Sequence, residues 1–227
     1  MAIIFSNPEQ RMQKHLLQFS MTAYTILLIL IILVQIQPAG LNRWDQTLNY
    51  LLTALRQSWI TPVVSALTNF ANPSNLAISN IILLACLLIF KQYTLSLLQL
   101  FNAILVGSVG NHLLKIIIMR PRPTATTHLV PVGGYSFPSG HAAASMVYFG
   151  FLILLTYYFV KRQRPRRWLM LLWVSLILLI GLSRVYVGVH NVSDVLAGWC
   201  WGLGGLCFSW WCFSKCRLLP VIHHYHD

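Results

Sequence analysis

Acidic residues are almost missing from this chain: Glu9, Asp45, Asp194 and Asp227 stand against 16 lysines and arginines. Four scattered carboxylates form no acidic cluster of the kind that gathers a divalent cation. Charged residues of both signs make up only 9% of the 227 residues, too few to clothe an ordinary soluble domain. The cysteines Cys86, Cys200, Cys207, Cys212 and Cys216 lack paired metal-ligand spacing, so free thiols are expected and a disulfide framework is not. The net charge of +12 has no polar, aromatic-interleaved basic domain to carry it, and nucleic acid is not an expected partner. The first apolar run has no convincing small-residue cleavage site and reads as an uncleaved span.

What is present is apolar. Hydrophobic residues make up 57% of the chain and the mean hydropathy is +0.66, which reads as an all-α polytopic membrane protein. Six runs are read as membrane spans: Leu16 to Pro38, Asn75 to Phe90, Tyr93 to Met119, Ser139 to Val160, Trp168 to Val189 and Val192 to Phe213. Between the first two, Leu41 to Trp59 repeats apolar residues at helical spacing with Arg43, Asp45 and Arg56 among them, the pattern of an interfacial amphipathic helix. Pro62 and Asn72-Pro73 punctuate the connection that follows. The prolines and glycines from Arg120 to Pro138 oppose helix and make an extramembrane loop. Trp199, Trp201, Trp210 and Trp211 suit interfacial or lipid-facing anchoring, and Gly202, Gly204 and Gly205 suit close helix packing. His223, His224 and His226 are read as part of a flexible tail.

Basic residues divide unevenly between the two sides of such a bundle. Arg11, Lys14, Lys91, Lys161, Arg162, Arg164, Arg166, Arg167, Lys215 and Arg217 fall on one side; Arg43, Arg56, Lys115, Arg120, Arg122 and Arg184 fall on the other. The positive-inside rule then places both termini in the cytoplasm.

Polar residues that break the apolar pattern collect on the opposite side, at three points. Lys115 closes the third span and Arg120-Pro121-Arg122-Pro123 follows, supplying a second fixed cation that local sequence does not assign to either arginine. A lysine at a helix end also snorkels to the interface without further purpose. The fourth span opens with Pro138-Ser139-Gly140-His141, where the free N–H groups of a first turn suit a phosphate. An ordinary N-cap at Ser139 and an interfacial His141 fit the same residues. At the third point Arg184 precedes His190, and Asp194 lies four residues beyond the histidine across a helix start. A carboxylate there can fix the imidazole tautomer and leave the other nitrogen free to attack an electrophile, which the arginine suggests is anionic. The plainer alternative has Asn191 as N-cap, Asp194 favoured by the helix dipole and Arg184 snorkelling. Asn111 and His112, one turn before Lys115, read as packing residues.

Together the three points resemble the type 2 phosphatidic acid phosphatases, a superfamily of integral lipid phosphate phosphatases and soluble vanadium haloperoxidases. Its first motif, a lysine, six residues and Arg-Pro, is matched from Lys115 to Arg122-Pro123, which selects Arg122 over Arg120. Its second, Pro-Ser-Gly-His, is matched at Pro138 to His141, and its third by Ser183, Arg184, His190 and Asp194. The resemblance implies that His190 attacks phosphorus to give a phosphohistidine, that Asp194 orients it, and that His141 protonates the leaving group and then helps activate water. It implies that Lys115, Arg122, Ser139, Gly140 and Arg184 hold the phosphoryl oxygens, with no metal and no cofactor. It implies one membrane phosphatase domain over residues 1–227, with a motif-bearing core at 115–194. The implied partners are membrane lipids and a lipid phosphate substrate: undecaprenyl diphosphate, phosphatidylglycerol phosphate or phosphatidic acid. A bacterial cytoplasmic membrane with an extracytoplasmic active site is the implied setting. A phosphotransferase passing the same group to a lipid or sugar acceptor would carry the same motifs. A non-catalytic lipid-binding relative would be expected to have lost His141, His190 or Asp194, and all three are present.

Overall fold

The computed structural model describes residues 8–216 and 218, so the tail histidines lie outside the described residues. The described chain is helical throughout: α1 (Pro8–Ile36), α2 (Ala39–Ala54), α3 (Ile60–Phe70), α4 (Pro73–Ile89), α5 (Tyr93–Phe101), a π-helical segment (Asn102–Gly110), α6 (Asn111–Ile118), α7 (Gly140–Phe159), α8 (Gln163–Tyr186) and α9 (Val192–Lys215). α1, the α5-to-α6 run, α7, α8 and α9 are each long and apolar enough to span a membrane. Their outward faces are apolar: Leu28 and Ile29 on α1 are exposed, as are Trp168 and Leu171 on α8.

The remaining span differs from the sequence reading. α4 alone has 17 residues and counts as a span only when joined to α3, with which it makes a bend of 51°. The bend falls at Asn72-Pro73, where Asn72 Oδ1 caps Ser74 N–H at 3.4 Å and Pro73 opens the helix. Pro62 does not break the connection. It sits in the first turn of α3, where a missing N–H removes no helical bond.

α2 is amphipathic, but part of its polar face turns inward. Asp45 and Asn49 are buried while Trp44, Tyr50, Leu51 and Leu55 face outward, the reverse of a helix floating on the bundle. A membrane surface accepts the apolar residues, so the polar ones are free to serve the protein interior.

α9 is the central helix, packed against α1 and α7, and α7 in turn packs on α8. Small residues allow these approaches: a Cβ on Gly204 would stand 2.9 Å from the Tyr24 ring, and one on Gly202 would stand 2.9 Å from the Ala143 carbonyl oxygen. The tryptophans of α9 are not all anchors. Trp210 is 1% exposed and meets the rings of Phe151 and Tyr158, while Trp201 donates its indole N–H to the Val106 carbonyl in the π segment at 2.7 Å. Wide π turns loosen the backbone ladder, and here a side chain from α9 takes up one carbonyl.

Candidate active site

Four helix ends converge at one end of the bundle: the C-termini of α6 and α8 and the N-termini of α7 and α9, with α2 against α8 and α9. α8 ends in a reversal at Gly188, whose φ is +84°; a Cβ there would stand 2.6 Å from the Thr127 carbonyl oxygen. Only glycine meets both demands. Arg56, at the end of α2, donates Nε and Nη2 to the Tyr186 carbonyl at 2.9 and 2.8 Å, placing a cation on the α8 C-terminus where the dipole favours it.

This reversal presents His190 just before α9. Asp194 Oδ2 accepts the Asn191 backbone N–H at 2.8 Å, the return bond of a capping box, and the same oxygen lies 3.5 Å from His190 Nδ1. One carboxylate oxygen thus makes the capping bond and also approaches the imidazole. Its position assigns the ring proton to Nδ1 and leaves the lone pair on Nε2, which stands 3.3 Å from Arg122 Nη1. The ring is 3% exposed, and burial pushes its pKa down to about 4, with Asp194 opposing that shift and Lys115 and Arg122 adding to it. Near neutral pH the ring is uncharged.

Lys115 and Arg122 act electrostatically on the ring, and Arg184 lies with them at this end of the bundle. Lys115 Nζ donates to the Tyr135 carbonyl at 2.8 Å. Arg122 is held by the carbonyls of Gly133, Gly134 and Val189 at 2.8, 3.1 and 2.8 Å, and burial pushes its pKa down against the pull of Asp194, leaving a charged guanidinium. Arg184 is buried, donates Nη1 to Thr68 Oγ1 at 2.6 Å and keeps a buried Nε without a partner. Such a donor is costly unless an acceptor meets it.

The start of α7 completes the cluster. Ser139 is fully buried, yet its hydroxyl does not cap the helix and has no hydrogen-bond partner. The ordinary N-cap expected there is thus replaced by a hydroxyl and first-turn N–H groups aligned with a helix dipole. Gly140 lies against Asn111, since a Cβ would stand 3.3 Å from Asn111 Oδ1. His141 is partly buried, within electrostatic reach of Arg184, His190, Lys115 and Arg122. Lys115, Arg122, Ser139, Gly140, His141, Arg184, His190 and Asp194 all come together.

The sequence pattern of the PAP2 superfamily matches residues 96–218, which is more than half of the chain and includes this entire cluster. The chain belongs to the PAP2 superfamily. Phosphatidylglycerophosphatase B of Bacillus subtilis is 29% identical over 182 residues, covering 78% of this PAP2 chain and 87% of that protein. An undecaprenyl-diphosphatase of Sulfolobus acidocaldarius is 32% identical over 133 residues, covering 52% of this chain and 55% of the other. The crystal structure of a transmembrane PAP2 type phosphatidylglycerolphosphate phosphatase from Bacillus subtilis superposes with a TM-score of 0.75 at 25% identity, covering 91% of this chain and 98% of that one. These relatives are named as phosphatases, consistent with a lipid-phosphatase hydrolase built as an integral membrane protein.

Several residues of this PAP2 site escaped the sequence reading. Ser136 donates to Asp194 Oδ2 in a short hydrogen bond and lies 3.4 Å from His190 Nδ1. Thr68, from α3, holds Arg184. Arg120, set aside in favour of Arg122, donates to Asp194 Oδ1 at 2.6 Å and to Asp45 Oδ2 at 2.8 Å. Burial acts to lower the Arg120 pKa, but the two carboxylates outweigh it and the net shift is upward. The scarcity of acidic residues was the available signal for Asp45, because a lone carboxylate in so apolar a chain needs a partner.

Proposed function

We propose that the chain hydrolyses lipid phosphates or diphosphates through a phosphohistidine at His190. The observation that carries this reading is the placement of one buried ring, with Nδ1 toward Asp194 and Nε2 toward Arg122 at 3.3 Å, beside the N-terminus of α7. In the first step the Nε2 lone pair bonds to phosphorus, the bond from phosphorus to the leaving oxygen breaks, and His141 gives that oxygen its proton. In the second, His141 takes a proton from water, the oxygen bonds to phosphorus, and the P–N bond breaks to free phosphate and His190. Lys115, Arg122 and Arg184, with the Ser139 hydroxyl and the Gly140 amide, follow the charge on the three equatorial oxygens. These groups supply what a divalent cation supplies in other phosphoryl-transfer sites.

Undecaprenyl diphosphate, phosphatidylglycerol phosphate and phosphatidic acid are the substrates this reading favours, supported for the first two by the names of the relatives. A cleft of about 630 Å³, lined by Asn49, Arg120, Arg122, Thr126 and Asn191 among others, flanks the site and shares Arg122 with it. We place the site on the extracytoplasmic face of a bacterial cytoplasmic membrane, with both termini cytoplasmic. The basic stretch 161–167 joins α7 to α8 at the opposite end of the bundle, which supports this orientation. Phosphate release by the purified full-length protein in detergent, measured on the three lipids with His190→Ala as control, tests the proposal. Release by wild type alone is expected; equal release by His190→Ala would remove His190 from the role of nucleophile.

A further inference from the structure

Arg120 and Arg122 stand two residues apart and flank opposite ends of the Asp194–His190 pair. Arg122 faces the Nε2 side of His190. Arg120 reaches behind Asp194: its Nη1 donates to Asp194 Oδ1 at 2.6 Å and to Ser193 Oγ at 2.7 Å, and its Nη2 donates to Asp45 Oδ2 at 2.8 Å. Asp45 also accepts the Ser193 backbone N–H at 3.0 Å and the Ser193 hydroxyl at 2.6 Å, so it caps the first turn of α9 from a different helix. Asp45 is 2% exposed and Asp194 is 0% exposed.

Two buried carboxylates sharing one guanidinium are a poor way merely to fasten α2, since apolar contacts would fasten it without desolvating charge. The arrangement does have an electrostatic consequence. Asp194 has Arg120 on one oxygen and Ser136, Asn191 N–H and His190 on the other, with the histidine contact the longest of those at 3.5 Å. A guanidinium directed wholly at Asp194 would cancel the negative field that reaches the ring. Because Asp45 shares that guanidinium, the three groups keep one net negative charge behind His190.

We propose that Asp45 and Arg120 are positioning residues that hold Asp194 against His190 and set how much of its negative charge the ring feels. This rests on the reading of His190 as nucleophile. It assigns a function to α2, which carries none of the three motifs. The charged and titratable groups around the ring are Asp194 at the start of α9, Arg120 and Arg122 from the loop, Asp45 from α2, Lys115 from α6, His141 from α7, and Arg184 from α8.

The test compares pH–rate profiles of phosphate release from phosphatidylglycerol phosphate by full-length wild type, Asp45→Asn, Arg120→Gln and the double variant. Asp45→Asn leaves the cluster neutral, which makes the ring harder to protonate and moves the acid limb of kcat/KM to lower pH. Arg120→Gln leaves two negative charges and moves the limb to higher pH. The double variant restores one negative charge and returns the limb to its wild-type position. Each variant loses kcat by about tenfold or more, with KM within about threefold, because Asp194 is less well held. Ionisation of the substrate is common to all four proteins and cancels in the comparison. The double variant keeps the wild-type net charge of the cluster, so its kcat gives the reading if a single variant does not fold. An acid limb that stays put in the folded single variants, or a wild-type kcat in the double variant, overturns the proposal. Absence of phosphate release by wild type, or retention of it by His190→Ala, instead defeats the nucleophile reading on which this one stands.

Discussion

The backbone N–H of Ser139 donates to the carbonyl oxygen of Asp194 at 2.9 Å, joining the first turn of α7 to the first turn of α9. The start of α7 and the residue whose carboxylate faces His190 are thereby joined by one main-chain contact. It exists because the two helices approach closely at Gly198, where a Cβ would lie 2.5 Å from the Ser139 carbonyl oxygen and 2.9 Å from Ala142 Cβ.

Gly198→Ala should therefore harm both fold and activity. Overpacking at a buried crossing costs about 1–3 kcal/mol, and the displaced α7 start no longer faces His190. We expect a lower melting temperature in detergent and a kcat reduced by about tenfold or more. Gly107→Ala is the control: its Cβ would meet only the Asn102 carbonyl oxygen, at 3.7 Å. Equal damage from both substitutions would count against the crossing argument.

Arg184 and Thr68 give a graded pair. Thr68→Val removes the hydroxyl that fixes Nη1 at 2.6 Å but leaves the charge, whereas Arg184→Lys keeps a charge and loses the planar fork. The expected losses in kcat/KM are about tenfold for Thr68→Val and about 100-fold or more for Arg184→Lys. A steady-state comparison on one lipid substrate checks the order, and a lysine variant as active as wild type would show that point charge alone suffices.

His190 carries a pH signature with a definite sign. Burial holds its pKa at about 4 against an ordinary 6.5, so the folded ring stays neutral across an interval in which the unfolded ring is protonated. The resulting contribution to stability is complete above about pH 6.5 and is lost as pH falls toward 4. With His190 as the proposed nucleophile, activity should fall through about pH 4, while melting temperature should already decline from about 6.5 downward. His190→Gln should flatten that portion of the stability profile; an unchanged slope would assign it to other groups.

The sequence was most legible where chemistry is local and least legible where a helix had to choose a face. Lys115, His141, Arg184, His190 and Asp194 stand out because polar residues at the ends of apolar runs need a reason, whereas Arg122 is told from Arg120 only by the family motif. The partners Asp45, Arg120, Ser136 and Thr68 come from segments whose orientation depends on tertiary packing. In α2 both faces have a plausible home, lipid headgroups or protein, and hydropathy alone does not say that Asp45 points inward. Hydropathy also treats lipid and protein interior alike, so Trp210 looked like an anchor although it is 1% exposed. The break at Asn72-Pro73 was visible, but the helix before it was not, because Pro62 reads as a breaker until its place in a first turn is known.

Cation supply gives another test. If Lys115, Arg122 and Arg184 neutralise the transferring phosphoryl group, chelation of divalent ions should leave wild-type turnover within about twofold. Lys115→Met should lose about 100-fold or more, with no recovery on adding magnesium. Strong inhibition by a chelator, reversed by a divalent ion, would sink the metal-free reading.

The roles of the two histidines separate in time, and a variant can divide them. In the proposed mechanism His141 protonates the leaving oxygen in the first step and deprotonates water in the second, so on that mechanism its loss harms both, but unequally across substrates. A diphosphate expels a phosphate-bearing leaving group that needs protonation less than an alcohol does. With His141→Gln and a diphosphate lipid, the first step should therefore persist while hydrolysis of the phosphohistidine slows. Phosphate from a labelled substrate should then accumulate on the protein, bonded to His190 and lost on acid treatment. The double variant His141→Gln/His190→Ala should take up none. Label bound to another residue, or label retained without His190, would move the nucleophile elsewhere; no label with slow turnover intact would favour direct attack by water.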